Sequence, residues 1–196
     1  MRHTLLILAM FCSAPSFAQP PVTSSVPVIN NANIDSSGRQ YQGNMAVNQA
    51  AGDLQQQVNA RAIAVGHNAS ATTHIRQRLH TVVDPNMAAK SGIQGDAFSN
   101  GSGALGVNQS AGAANQQANA LRITLSAQPQ SIDDSVLMQQ NVALLNSSDP
   151  TDSTPGYRQV TTSDRAFTGS RGVIQLNQSA GVGNRTANTL SVRVAD

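Results

Sequence analysis

The chain is poor in most of what an ordinary compact domain is built from. Its 196 residues contain one cysteine, no tryptophan, and aromatics at only 3%. With Cys12 alone, a disulfide framework and a thiolate metal site are both excluded. Without aromatics, a large apolar core is excluded as the main source of stability. Charged residues are scarce as well, at 11%, and Lys90 is the sole lysine. The sequence pI of 9.2 therefore rests on a net charge of only +2, and the arginines are scattered rather than set in a basic stripe among aromatics. That pattern excludes nucleic acid as a natural partner. No apolar run is long enough for a transmembrane helix. No Gly-x-Ser-x-Gly elbow is present to carry a serine nucleophile.

The first residues read as an address. Arg2 and His3 form a short basic region, residues 5–11 are apolar, and Ser16-Phe17-Ala18 has the small-x-small form of a cleavage site. Cleavage is expected after Ala18, with Gln19 as the new N-terminus and no transmembrane segment in the mature chain. Phe11 is too large to precede a lipidated cysteine, so Cys12 is expected to leave with the signal peptide.

What fills the space is amide. Asn and Gln number 36, more than all charged residues together. They are concentrated in a segment that occurs three times. Val47-Asn48-Gln49-Ala50-Ala51-Gly52 is matched by Val107-Asn108-Gln109-Ser110-Ala111-Gly112 and by Leu176-Asn177-Gln178-Ser179-Ala180-Gly181. Each copy continues in kind: Gln55-Gln56-Gln57-Val58-Asn59-Ala60, Asn115-Gln116-Gln117-Ala118-Asn119-Ala120, and Asn184-Arg185-Thr186-Ala187-Asn188-Thr189. Between Gly43, Gly103 and Gly172 the spacings are 60 and 69 residues. The organisation expected is a flexible leader over 19–35 and repeats over 36–66, 95–126 and 164–196. Linkers span 67–94 and 127–163, and within the second, residues 132–146 read as an amphipathic helix ahead of a strand.

Inside a repeat the period is two. Met45, Val47 and Gln49 alternate with polar or small residues, as do Leu105, Val107 and Gln109, and Ile174, Leu176 and Gln178. This predicts a strand with one buried face. Gly52, Gly112 and Gly181 follow, where a residue without a Cβ lets the chain bend. A second strand alternates through Gln57, Asn59, Arg61, Ile63 and Val65 and their equivalents. A lone hairpin is marginal in water, so the repeats must bury their faces on one another. The fold expected is all-β, a short β-solenoid of three stacked strand–turn–strand repeats with irregular linkers. Stacking aligns the amides of Asn48, Asn108 and Asn177, of Gln49, Gln109 and Gln178, and of Asn59, Asn119 and Asn188 as structural ladders. The end repeats carry no lysine or proline to blunt their edges, so the same pairing can continue into another molecule.

These residues resemble the repeat of the Fap functional-amyloid fibre subunits of Pseudomonas-like bacteria. The likeness is carried by Asp96-Ala97-Phe98-Ser99, Gly103, the run from Gly106 to Gly112, and the run from Asn115 to Ala120. The third repeat has the same lead-in, Asp164-Arg165-Ala166-Phe167, whereas the first has Arg39-Gln40-Tyr41-Gln42. The resemblance implies an exported structural subunit of cross-β fibres in biofilm matrix or on the cell surface. It implies self-association, with other fibre subunits and an outer-membrane export system as partners. The compact linkers are more like those of a minor or nucleating subunit, and the C-terminal cysteine pair of some members is missing. Alternatives from other classes are a non-polymerising surface adhesin and a periplasmic accessory of fibre export.

The remaining candidates read more simply as structure. His67, His74 and His80 sit in a polar linker and need more convergent ligands to hold a metal. Asp133-Asp134 is a solvated pair rather than an acid–base couple. Asn108-Gln109-Ser110, Asn177-Gln178-Ser179 and Asn184-Arg185-Thr186 match a glycosylation pattern, but ladder and turn account for them. Phe98 and Phe167 are expected to cap the repeat core, with a receptor-facing role as the alternative. No catalytic residue, cofactor or metal is expected.

Overall fold

A computed structural model describes residues 28–84, 87–127, 137–145 and 156–195, with 137–145 and 195 by backbone alone. The signal peptide, most of the leader and Asp133-Asp134 lie outside the described residues. Among the described residues there is no helix, and the chain makes three similar passes. The first contains β1 (Ile29–Asp35), β2 (Gln42–Ala51), β3 (Gln56–Gly66) and β4 (Ile75–Val83). The second contains β5 (Ala88–Gln94), β6 (Ser102–Ala113), β7 (Gln116–Ser126) and β8 (Leu137–Leu145). The third contains β9 (Arg158–Thr162), β10 (Arg171–Val182) and β11 (Arg185–Ala195).

Strands pair between passes, always parallel. Among the described residues they form four sheets, with strand orders β1-β5-β9, β10-β6-β2, β11-β7-β3 and β4-β8. The register follows the repeat. Val47 pairs with Val107 and Val107 with Leu176, so Asn48, Asn108 and Asn177 share one level. Asn59, Asn119 and Asn188 do the same one sheet away. A slip of one residue would turn every amide to the opposite face, so identical side chains fix the register.

The four sheets lie face to face. The β1-β5-β9 sheet covers the outer side of the β2 sheet, where Ile34 and Ile93 meet Leu105 and Val107, with Met45, Val47 and Leu176 packed beside them. The other side of the β2 sheet faces the β3 sheet across the amides. Beyond it, β4 covers the far side of the β3 sheet, with Ile75 against Ala118, Ala120, Val58 and Ala60. Gln77 ties this layer down by donating to the carbonyl oxygens of Gln56 and Gln117.

Three expectations are corrected here. The linkers are not irregular: β4, β5, β8 and β9 all lie in segments read as linker, and β1 ends the segment read as a flexible leader. Residues 137–145 form a strand, not a helix, because β4 offers its edge and pairs with them from Ile75–Leu137 to Val83–Leu145. Finally, β6 is buried on both faces rather than one: the leader and linker strands cover the Leu105 and Val107 side, and the side bearing Asn108 packs on β7.

Candidate functional site

The feature set apart from ordinary packing is the double column of amides between the β2 and β3 sheets, together with the two free edges where it ends. Asn108, Gln109 and Asn119 are at most 1% exposed. A buried primary amide without partners costs several kcal/mol, of order 2–7, so the chain must satisfy each one. It does so by repetition. Asn177 Nδ2 donates to Asn108 Oδ1 at 2.9 Å, and Asn108 Nδ2 donates to Asn48 Oδ1 at 2.9 Å. Gln178 Nε2 donates to Gln109 Oε1 at 2.9 Å, and Gln109 Nε2 to Gln49 Oε1 at 2.7 Å. Asn188 Nδ2 donates to Asn119 Oδ1 at 3.1 Å, and Asn119 Nδ2 to Asn59 Oδ1 at 2.9 Å.

The two Asn columns also bond to each other within each pass. Asn59 donates to Asn48, Asn119 to Asn108 and Asn188 to Asn177, at 2.8, 3.0 and 3.0 Å. An amide oxygen has two lone pairs. Asn108 Oδ1 uses both, one for Asn119 in its own pass and one for Asn177 in the next. The Gln column bonds outward instead, to the carbonyl oxygens of Asn33, Gly92 and Thr161 on the covering sheet.

Gly52, Gly112 and Gly181 stand at the end of the β2 sheet with φ of +100°, +109° and +123°. A Cβ on Gly52 would overlap the Gly112 carbonyl oxygen, and one on Gly112 the Gly181 carbonyl oxygen. These glycines are required by close backbone approach between passes as much as by φ. The tightest bend comes slightly later, at Leu54, Ala114 and Gly183, which hold left-handed φ of 56°, 56° and 69°. Nothing in Leu54 or Ala114 advertises a turn, so sequence reasoning placed the bend too early.

Further ladders went unnoticed in the sequence. Gln116 donates to Gln56 Oε1, Asn184 to Asn115 Oδ1, and Gln57 to Gln117 Oε1. The signal was there, since these residues also repeat at spacings of 60 and 69. Phe98 is buried at 1% exposure and stacks on Phe167 with ring centroids 5.4 Å apart. It faces the core and presents no aromatic ring to a receptor. The first pass has no such ring: a Cβ at Gly38 would press on the Phe98 ring. Arg39 Nη1 bridges to Asp96 Oδ2 at 3.0 Å across the same turn. That hydrogen bond holds the Asp96 carboxyl below its ordinary range. Burial lowers the Arg61 pKa from its ordinary value, and its guanidinium donates to the Met45 carbonyl oxygen at 2.6 Å. His67, His74 and His80 join no group of three metal-ligating side chains among the described residues.

The whole of this geometry coincides with one family model, the functional amyloid protein FapB/FapC family, which matches residues 13–195. The chain belongs to that family. It is also similar to the functional amyloid subunit FapC of Pseudomonas aeruginosa, with 39% identity over 114 residues. That match takes in 53% of this chain and 32% of the relative, so the chain corresponds to about a third of the longer protein's length. No solved structure matches.

Proposed function

We propose that this FapB/FapC family member is an exported structural subunit of cross-β fibres, folded as a short β-solenoid in which each pass is one rung. The observation that carries the reading is the unfinished state of the stack. Among the described residues β5, β6 and β7 of rung two are paired on both sides, whereas the corresponding strands of rungs one and three each leave one edge open. Open parallel edges are templates for more strand. Here they carry amide columns cut off in mid-ladder, so an incoming copy gains backbone and side-chain bonds in one register. Asn48, Gln49, Asn59 and their equivalents supply the ladder, and Gly52, Gly112 and Gly181 allow the backbones to close.

The compact spacers support a minor or nucleating role beside other subunits. The family reading supports export through an outer-membrane system and a place in biofilm matrix or on the cell surface. The test is assembly of the chain from Gln19 onward. The expected course is a thioflavin signal with a lag, abolished when preformed fibres are added as seed. A chain that stays monodisperse for weeks at high concentration would instead favour the adhesin, and one that only captures FapC without forming fibres, the export accessory.

A further inference from the structure

We propose that assembly is polar, with rung one of each incoming copy seated on rung three of the copy before it. The inference rests on the fibre reading above and adds the order and direction of subunits. It comes from the direction of the amide hydrogen bonds. In all three Asn and Gln columns the later rung donates and the earlier rung accepts. Gln116 to Gln56 and Asn184 to Asn115 run the same way. The neighbouring glutamines run the other way: Gln57 donates to Gln117 Oε1 and Ser110 Oγ, and Gln117 to Ser179 Oγ, with Thr186 at the glutamine level of rung three. Gln55 and Asn115 likewise donate forward, to the carbonyl oxygens of Gly112 and Gly181, so the polarity is carried by the Asn48, Gln49 and Asn59 columns.

The two ends of the stack are consequently unlike. At the rung-one end, the Asn48 amide donates to nothing among the described residues, while its oxygen is filled by Asn59 and Asn108. At the rung-three end, Asn177 Oδ1 accepts from Asn188 and keeps one lone pair open. This is the condition Asn108 Oδ1 would be in if rung three were removed. Gln178 Oε1 likewise accepts from Thr162 alone, and Asn188 Oδ1 accepts nothing among the described residues. In these columns the rung-one end offers a donor at Asn48 and the rung-three end offers acceptors at Asn177, Gln178 and Asn188. Rung one on rung three joins them; rung three on rung three sets acceptor against acceptor, and rung one on rung one sets donor against donor.

Shape agrees with charge. Rung three opens a cleft of about 580 Å³ between β10 and β11, lined in part by Ile174, Leu176 and Leu190. Met45 and Val47 of rung one stand at the register levels of Ile174 and Leu176. They would continue the stack of Ile174 and Leu176 on the side facing the β1-β5-β9 sheet, where Met45, Val47 and Leu176 already join one apolar cluster. Gly181 fits the same rule. Gly52 and Gly112 leave room for the carbonyl of the following rung, whereas the missing Cβ of Gly181 has the ends of the Arg158 and Asn184 side chains near it and no backbone.

Cysteine cross-linking tests the order, because the chain after Ala18 has no cysteine of its own. Gln42 and Arg171 both stand opposite Ser102, so within one chain they are two strand spacings apart, roughly 9.6 Å. That is too far for a disulfide. Across the proposed junction they become direct neighbours. Fibres of the Q42C/R171C double variant, assembled reduced and then oxidised, are expected to give a ladder of covalent multimers containing most chains. Fibres of either single variant are expected to stay monomeric. Asn33 and Thr161, both opposite Gly92, provide a second pair on a different sheet as N33C/T161C. Covalent dimers from a single variant would overturn polarity and reveal like ends in contact. So would fibres of both double variants that remain monomeric after oxidation. In each of these cases thioflavin-positive fibres leave the fibre reading standing, whereas failure of the unsubstituted chain to assemble overturns both.

Discussion

An amide in a ladder is worth more than its own hydrogen bonds, because removing it strands its neighbours. Asn108 is the clearest case. It donates to Asn48 and to the Val58 carbonyl, and it accepts from Asn119 and Asn177. Asn108→Ala should destabilise the chain by about 2–4 kcal/mol, given the ~1–3 kcal/mol cost of each buried group left unpaired. Urea unfolding of the monomer checks this; a loss under about 0.5 kcal/mol would mean that water serves the column as well as asparagine does. Charge plays a smaller part. Asp96 has its carboxyl held below the ordinary range by Arg39, so its contribution is present above the unfolded pKa of about 4 and is lost as pH falls through the lower folded value. Both partners are well exposed, so the pair is weak. Stability should therefore be flat from pH 7 to 5 as far as this pair is concerned. Comparing the chain with Arg39→Gln below pH 4 should show the difference between them shrinking; a difference that grows there would assign Arg39 another role.

At the scale of elements, the glycine column decides how closely two passes approach. Gly112→Ala would drive a methyl into the Gly181 carbonyl at a φ that alanine rarely adopts, a strain of order 1–3 kcal/mol. It should lower the melting temperature of the monomer and slow assembly, both readable by circular dichroism and thioflavin kinetics; an unchanged monomer would mean that the passes are further apart than described. The strands bearing this column were legible because they alternate strictly and occur three times. The register was legible for the same reason: the offsets between paired strands equal the spacings of 60 and 69 in the sequence. The covering strands were not. Asn30, Asn31 and Asn33 in β1 and Arg76, Gln77 and Arg78 in β4 look like linker, with little hydrophobic period to set them apart. They form strands because a neighbouring pass already offers an edge of backbone donors and acceptors, a tertiary cause that leaves little mark on local sequence. Leu54 and Ala114 escaped notice likewise, since their left-handed φ is imposed by the closure of β2 onto β3 and of β6 onto β7.

For the whole molecule, the scarcity of aromatics and the abundance of amides express one design. Stability is spread along amide columns that run through all three passes, and on the proposed reading those columns continue from one chain into the next. One residue opposes continuation. Arg61 occupies the level at which Leu121 and Leu190 stand in the other rungs. At the proposed junction its guanidinium would lie between Leu121 of its own chain and Leu190 of the preceding copy. Burying a charge without an acid partner is costly, so Arg61→Leu should shorten the lag several-fold; a longer lag would show that this end is not covered. The most direct measurement of the account is the mass per unit length of a single protofilament, by scanning transmission electron microscopy. Three stacked rungs per chain predict one chain per ~14 Å, three times the strand spacing. One chain per ~4.8 Å would mean that each molecule contributes a single layer, and the stacked-repeat account would be wrong.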